Sequence, residues 1–216
     1  MAIVHLMEFC VVPGHEAEVV AYLRNATPGG RPSAGLLMNC IGRRLRGHRQ
    51  EHVAVAGWRD GRDYARGTDR LGVPRYLSAK SDLLSDLRSS AFDASTAMGD
   101  GTEGARVLRV YRTHVAAASL GDWQRRSLDP LTRLSEKEGL VYLRAGTGLA
   151  GADASGEAPI LILSAWRDWD AMLAATGGHI DRPAQESDLD DLEGPSDVGH
   201  YELLESDTQT HADGPA

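Results

Sequence analysis

The sequence predicts an α+β fold built twice in one chain, and three observations carry the prediction. The triplet Trp-Arg-Asp occurs at 58–60 and again at 166–168, each time ending an apolar run (HVAVAGW, ILILSAW) and preceding a helix-like segment. A Gly-Leu pair opens another strand-like run in each half, AGLLMNCIG (34–42) and EGLVYLRAG (138–146). The flanks also match in order, so that both halves read strand, helix, strand, strand, helix, strand. The offset is 104 at the Gly-Leu pairs and 108 at the tryptophans. A longer second hairpin, GTGLAGADASGEA, accounts for the difference.

The elements follow in order. IVHLMEFCVVPG (3–14) and VLRVYRTHVAAA (107–118) alternate as strands do. HEAEVVAYLRNA (15–26) and LGDWQRRSLDPLTRLSEKE (120–138) are helical stretches. Pro130 lies inside the second and predicts a kink or split, because its ring removes a backbone donor and crowds the preceding turn. Strands at 34–42 and 138–146 lead through polar hairpins to strands at 51–58 and 159–166. RDYARG and DWDAMLAAT are the short helices after each triplet, and SSAFDAST (89–96) and GHYELLES (199–206) close the halves. The expected organisation is a first repeat over 1–98, a Gly-rich linker over 99–105, a second repeat over 106–206 and a disordered tail over 207–216.

Composition bounds the function. The chain has 216 residues, enough to bury a sizeable core, and 42% hydrophobic with 25% charged residues is the balance of a soluble globular protein. No apolar run approaches the roughly 18 residues of a membrane helix. MAIVHLMEFCVV lacks the basic start and small-residue cleavage site of a signal peptide, so a cytoplasmic location is expected. Cys10 and Cys40 sit in strand-like runs outside any Cys-x-x-Cys, which reads as two buried thiols and no metal site. The net charge of −8 is concentrated in residues 181–216, which hold eleven acidic residues and one arginine. The basic cluster RRLRGHR (43–49) has no interleaved aromatics, so a solvated hairpin tip fits it better than a nucleic-acid patch.

The order β-α-β-β-α-β is the ferredoxin-like split unit, an antiparallel sheet with helices on one face. The bare faces of two such sheets pack together, which predicts an intramolecular α+β barrel enclosing a cavity. Fusion already satisfies that pairing, so the chain is expected as a monomeric pseudo-dimer, or as a homodimer through exposed sheet edges.

The pattern apolar strand, Trp-Arg-Asp, helix, closed by a strand beginning His200-Tyr201-Glu202, resembles the dimeric α+β barrel superfamily, and within it the antibiotic-biosynthesis-monooxygenase-like domains. The likeness covers nearly the whole chain and is better in the second copy; the first has Ala91-Phe92-Asp93 near the place of His-Tyr-Glu. The resemblance implies a small-molecule oxygenase of the cofactor-independent type. Its partners would be O2 and an aromatic, polyketide-like or polyphenolic substrate that supplies its own electrons. It also implies two alternatives: a non-catalytic ligand-binding or stress-response-like barrel, and a heme-binding or heme-degrading protein.

Strand alternation divides the side chains into two sets. Val4, Leu6, Leu37, Val53 and Val55, with Leu108, Val110, Val141, Leu143, Leu161 and Leu163, are expected beneath the helices. His5, Met7, Phe9, Met38, Cys40 and Trp58, with Arg109, Tyr111, Thr113, Tyr142, Arg144, Ser164 and Trp166, are expected to face the barrel cavity. The second copy's set is the more polar and is taken as the working pocket. Arg109 and Tyr111 would hold a substrate anion and Trp166 would stack on it. His179 would act as general base, or as axial ligand in the heme alternative. Each has a plainer reading: tryptophans and tyrosines as core, arginines in ion pairs, His5 as a satisfied interior histidine, His179 as a loop residue.

Overall fold

In the computed structural model, the residues described are 2–25, 35–45, 51–68, 80–178, 180 and 191–204. The strands are β1 (Ala2–Val11), β2 (Leu36–Arg44), β3 (Glu51–Trp58), β4 (Leu84–Met98), β5 (Val107–Ala116), β6 (Leu140–Gly148), β7 (Glu157–Trp166) and β8 (Asp197–Leu204). The helices are α1 (Glu16–Asn25), α2 (Gly61–Gly67), α3 (Leu120–Arg126), α4 (Leu128–Ser135) and α5 (Trp169–Ala175). The strands form a closed barrel in the order β1-β3-β2-β8-β5-β7-β6-β4. Each half keeps the ferredoxin-like arrangement. The halves join through β2 with β8 and through the long β4, which pairs with β1 and then with β6. The tail over 207–216 lies outside the described residues, as do 46–50 of the basic hairpin; Arg43 and Arg44 pair with Glu202 and Glu51.

Both sequence signatures have local physical causes. In each triplet the Trp is fully buried and the Asp caps the next helix. Asp60 accepts from the Arg62 and Asp63 N–H groups, and Asp168 from that of Ala171. In each Gly-Leu pair the glycine holds a positive φ, +85° at Gly35 and +81° at Gly139. Its carbonyl takes the N–H of the triplet arginine, Arg59 at 2.9 Å and Arg167 at 2.8 Å. A Cβ on Gly139 would come within 2.4 Å of the Ala171 Cβ. Only glycine meets both demands. The helix containing Pro130 does split, at Ser127, leaving the proline in the first turn of α4 where its missing N–H costs nothing.

The faces of β1, β3, β5 and β7 are the reverse of the expected ones. Val4, Leu6, Val53, Val55, Leu108, Val110, Leu161 and Leu163 share a cluster with Met38, Cys40, Phe92, Tyr142 and Tyr201. All eight strands contribute to it, so this cluster is the barrel interior, and it is a packed core. His5, Met7, Phe9 and Trp58, with Arg109, Tyr111, Thr113, Ser164 and Trp166, lie outside the barrel beneath the helices. For β2 and β6 the inward faces hold, with Met38, Cys40 and Tyr142 inside and Leu143 outside, but Leu37, expected beneath the helices, is 57% exposed. The cause is that the central strands are buried on both sides, by barrel core and by helices, so neither set is marked by solvent. Burial pushes the Cys40 thiol up to about 12, which keeps it a neutral core group.

Candidate functional site beneath the helices of the second copy

The expected pocket residues separate into three places. Arg109, Tyr111, Ser164 and Trp166 come together under the second copy's helices. Under the first copy's helices, Met7 and Phe9 join one apolar cluster and Trp58 another, which the His5 ring meets through Tyr64. Met38, Tyr142 and Arg144 belong to the barrel interior. His179 lies outside the described residues.

The second-copy group is built on β5, β7 and β8. Arg109 stands opposite Ser164 on one side and His200 on the other, and all three are at most 5% exposed. Trp166 Nε1 donates to Ser164 Oγ at 3.0 Å. The His200 ring meets the Trp169 ring edge to face, with centroids 5.5 Å apart. A buried guanidinium is costly unless compensated, so the cation, hydroxyl and imidazole in one place mark a polar island in an otherwise apolar cluster.

Two residues farther along β5 lies a second polar group. The Tyr111 hydroxyl donates to Glu193, and Trp123 Nε1 donates to the other carboxylate oxygen at 2.8 Å. Glu193 is held in place by backbone: it bridges to Val115, and Gly194 exchanges bonds with His114 and the Thr113 hydroxyl. Asp191 adds a two-point ion pair to Arg126. Burial, then the Glu193 carboxylate accepting its proton, pushes the Tyr111 phenol well above the ordinary tyrosine value. Tyr111 is therefore a neutral donor at physiological pH. Beside Trp123, a cleft of about 420 Å³ opens between the α3–α4 pair and Ala145 of β6, within the range that takes a small organic ligand. It adjoins the Tyr111–Glu193–Trp123 group; the Arg109 group lies farther along the same cluster.

Several of these residues escape sequence reading. Trp123 reads as one more residue of a helix, and Glu193 as one of many charges in an acidic stretch; 82 residues separate Glu193 from Tyr111. His200 reads as structural. Arg144 is tied to backbone, donating to the carbonyls of Met98, Leu143 and Gly99 at 2.7–2.9 Å and lying 4.3 Å from the Tyr142 ring centroid. It is a clasp at the end of β4.

The first-copy counterpart is plainer. His5 Nε2 lies 2.8 Å from Ser89 Oγ, and its ring meets Tyr64, which in turn meets Trp58. Phe9 stacks on the buried His52. No group of three or more His, Cys, Asp or Glu able to hold a metal occurs among the described residues. No helix there is long and apolar enough to cross a membrane.

No family model and no curated protein sequence matches the chain. Solved structures do. A candidate monooxygenase from Lactobacillus acidophilus matches with a TM-score of 0.71 at 12% identity, over 94% of this chain and 93% of that one. One from Fusobacterium nucleatum gives 0.68 at 12% identity over the same shares. An anthrone oxidase-like protein gives 0.64 at 12% identity, over 94% and 92%. The chain has the α+β barrel fold of these proteins. At such identities the likeness fixes the fold, and the function must be argued from the site.

Proposed function

We propose that the chain is a cofactor-independent oxygenase of small aromatic substrates, with its working site beneath the helices of the second copy. The observation that carries this reading is the buried polar group Arg109, Ser164 and His200, flanked by Trp166 and Trp169, which has no counterpart in the first copy among the described residues. Its chemistry suits a phenolic substrate whose anion is the reductant. Arg109 would favour the anion, an indole face would hold the ring, and the helices would exclude water. Glu193, already paired with Tyr111 and Trp123 at the edge of the 420 Å³ cleft, would take the phenolic proton. For a substrate of the anthrone type the balance is one methylene and one O2 giving one carbonyl and one water. Likeness in fold to candidate monooxygenases and to an anthrone oxidase-like protein agrees with this chemistry.

The test is oxygen uptake with a panel of anthrones, naphthols and polyphenols. Uptake above the spontaneous rate that falls in Arg109→Ala and Glu193→Gln supports the reading. Specific binding of a panel member with no acceleration of uptake replaces it with the non-catalytic binder. That second reading draws on one observation: Trp166, Tyr111 and Trp123 already have protein partners. The heme alternative rests on His179, and a hemin titration that gives a saturating Soret band lost in His179→Ala would bring it forward.

A further inference from the structure

The cleft beside Trp123 lies where the two copies carry side chains of different size. The 104-residue offset of the Gly-Leu pairs sets Val19 against Trp123, Leu23 against Ser127 and Ile41 against Ala145. All six are buried, at most 4% exposed, so the pairs occupy matching interior places.

In the first copy, Val19, Leu23 and Ile41 pack into one apolar cluster with Met7, Phe9 and Val11. Branched side chains from α1 and β2 therefore fill the interval between helix and sheet. In the second copy, Ser127 and Ala145 stand at two of those places, and a cleft of about 420 Å³ opens between the α3–α4 pair and β6. The strand pair keeps its bulk but carries it on the other strand. Ile41 stands opposite Ala54 on β3, whereas Ala145 stands opposite Ile162 on β7.

The indole at the place of Val19 leaves the cleft open. Trp123 Nε1 donates to Glu193 at 2.8 Å, which holds the ring at one wall. Ser127 Oγ donates to the Gln124 carbonyl at 3.1 Å, so its hydroxyl is satisfied within the turn. Leu131 continues the wall, and Leu128 stands at the rim, 56% exposed. An indole, two leucines and an alanine methyl offer surface to a flat apolar body rather than to an ion.

We infer that Ala145 and Ser127 are the specificity-determining residues of this cleft. Their small size admits a ligand of two or three fused aromatic rings, and the first copy's Ile41 and Leu23 exclude one from the matching place. Close-packed interiors have little slack, so restoring either large side chain shortens the space a ring system can enter. The inference rests on the oxygenase reading for the choice of aromatic ligands, and adds to it the residues that read ring number.

The experiment is a calorimetric titration of the full chain, without oxygen, with resorcinol, 1-naphthol and anthrone. The unchanged chain is expected to bind naphthol and anthrone one to one, and more tightly than resorcinol. In Ala145→Ile and in Ser127→Leu the ratio of anthrone to resorcinol affinity should fall by about tenfold or more, the scale at which a few carbon atoms in an apolar pocket discriminate. Damage to the fold would weaken all three ligands alike, and the thermal transition of each variant checks it. Ala145→Val, a smaller step, should give an intermediate ratio and stays readable if the isoleucine variant does not fold. The expected fall in ratio, even in a chain that shows no oxygen uptake, supports the inference while removing the oxygenase reading. An unchanged ratio in the folded variants, or no binding of naphthol and anthrone by the unchanged chain, overturns the inference even where uptake proceeds.

Discussion

The helix-covered faces of the two copies occupy equivalent places in one barrel and are furnished differently. Trp58 and Trp166 correspond. Around them, His5, Ala56 and Ala91 in the first copy stand where Arg109, Ser164 and His200 stand in the second, in the same registers. The consequence shows at the indoles. Trp166 Nε1 has Ser164 to bond, whereas Trp58 Nε1 is buried without a hydrogen-bond partner among the described residues. One scaffold position is held by packing alone and the other by packing plus a polar network. The two halves share what the fold needs, and one face carries in addition polar groups that a fold does not need.

The largest expected effect tests that division. Arg109→Ala should lower oxygen uptake by on the order of 100-fold or more, the scale at which a positioned polar group contributes. His5→Ala, at the equivalent first-copy position, should leave uptake near that of the unchanged chain. A matching loss in both variants would mean that the copies act together. Circular dichroism on each variant separates loss of chemistry from loss of fold.

Next in size is the glycine that both copies retain. Gly139→Ala forces an L-residue to positive φ and drives its Cβ into Ala171, at a cost of roughly 2–4 kcal/mol from strain and overpacking together. In urea melts, the cost in an Ala171→Gly background should be smaller, since the clash is gone and only the dihedral strain is left. Gly35→Ala meets the Asp63 carboxylate instead. The contact reaches the Asp63 Cβ as well, at 2.4 Å, which no side-chain rotation moves, so the first copy should be at least as sensitive.

The split at Pro130 was legible in the sequence because its cause lies within a few residues along the chain. The Gly-Leu and Trp-Arg-Asp strings were legible only as repeats, since each glycine answers to a triplet arginine far along the chain. The barrel was legible because the order of elements leaves each sheet one bare face. The direction of the site was not. On β5, Arg109 and Tyr111 looked like cavity residues because they are polar, yet the interior took Leu108 and Val110 and the helices covered the polar set. Alternation separates two faces without saying which is which when both are buried. Glu193 was hidden for a different reason: only the return of the acidic segment onto the end of β5 gives that carboxylate its partners.

A smaller effect lies at the serine that distinguishes the copies. Ser164→Ala removes the acceptor for a buried indole N–H and should cost about 1–3 kcal/mol. The reciprocal Ala56→Ser offers Trp58 the missing acceptor and should stabilise by about 1 kcal/mol or less. Chemical denaturation of both variants measures the pair. Destabilisation by Ala56→Ser would mean that the first copy has no space for the hydroxyl, and that the two faces differ in packing as well as in chemistry.

The smallest effect compares the two caps. Asp60 and Asp168 both have carboxyls held below the ordinary 3.8, Asp60 chiefly by the Asp63 backbone N–H and Asp168 chiefly by that of Ala171. A depressed folded value means stability that is complete above 3.8 and is lost as the pH falls through the lower folded value. Asp60→Asn and Asp168→Asn should therefore each flatten the acid limb of a plot of stability against pH, leaving neutral behaviour nearly unchanged. The caps differ in their second support. For Asp60 it is another backbone donor, Arg62 N–H at 2.9 Å; for Asp168 it is the exposed Arg167 side chain at 3.1 Å. Salt screens exposed side-chain charges more than short backbone bonds. Raising the ionic strength should thus shrink the Asp168 contribution more than that of Asp60. Equal shrinkage would show that the arginine adds nothing to the second copy's cap, leaving the two triplets equivalent in their electrostatics.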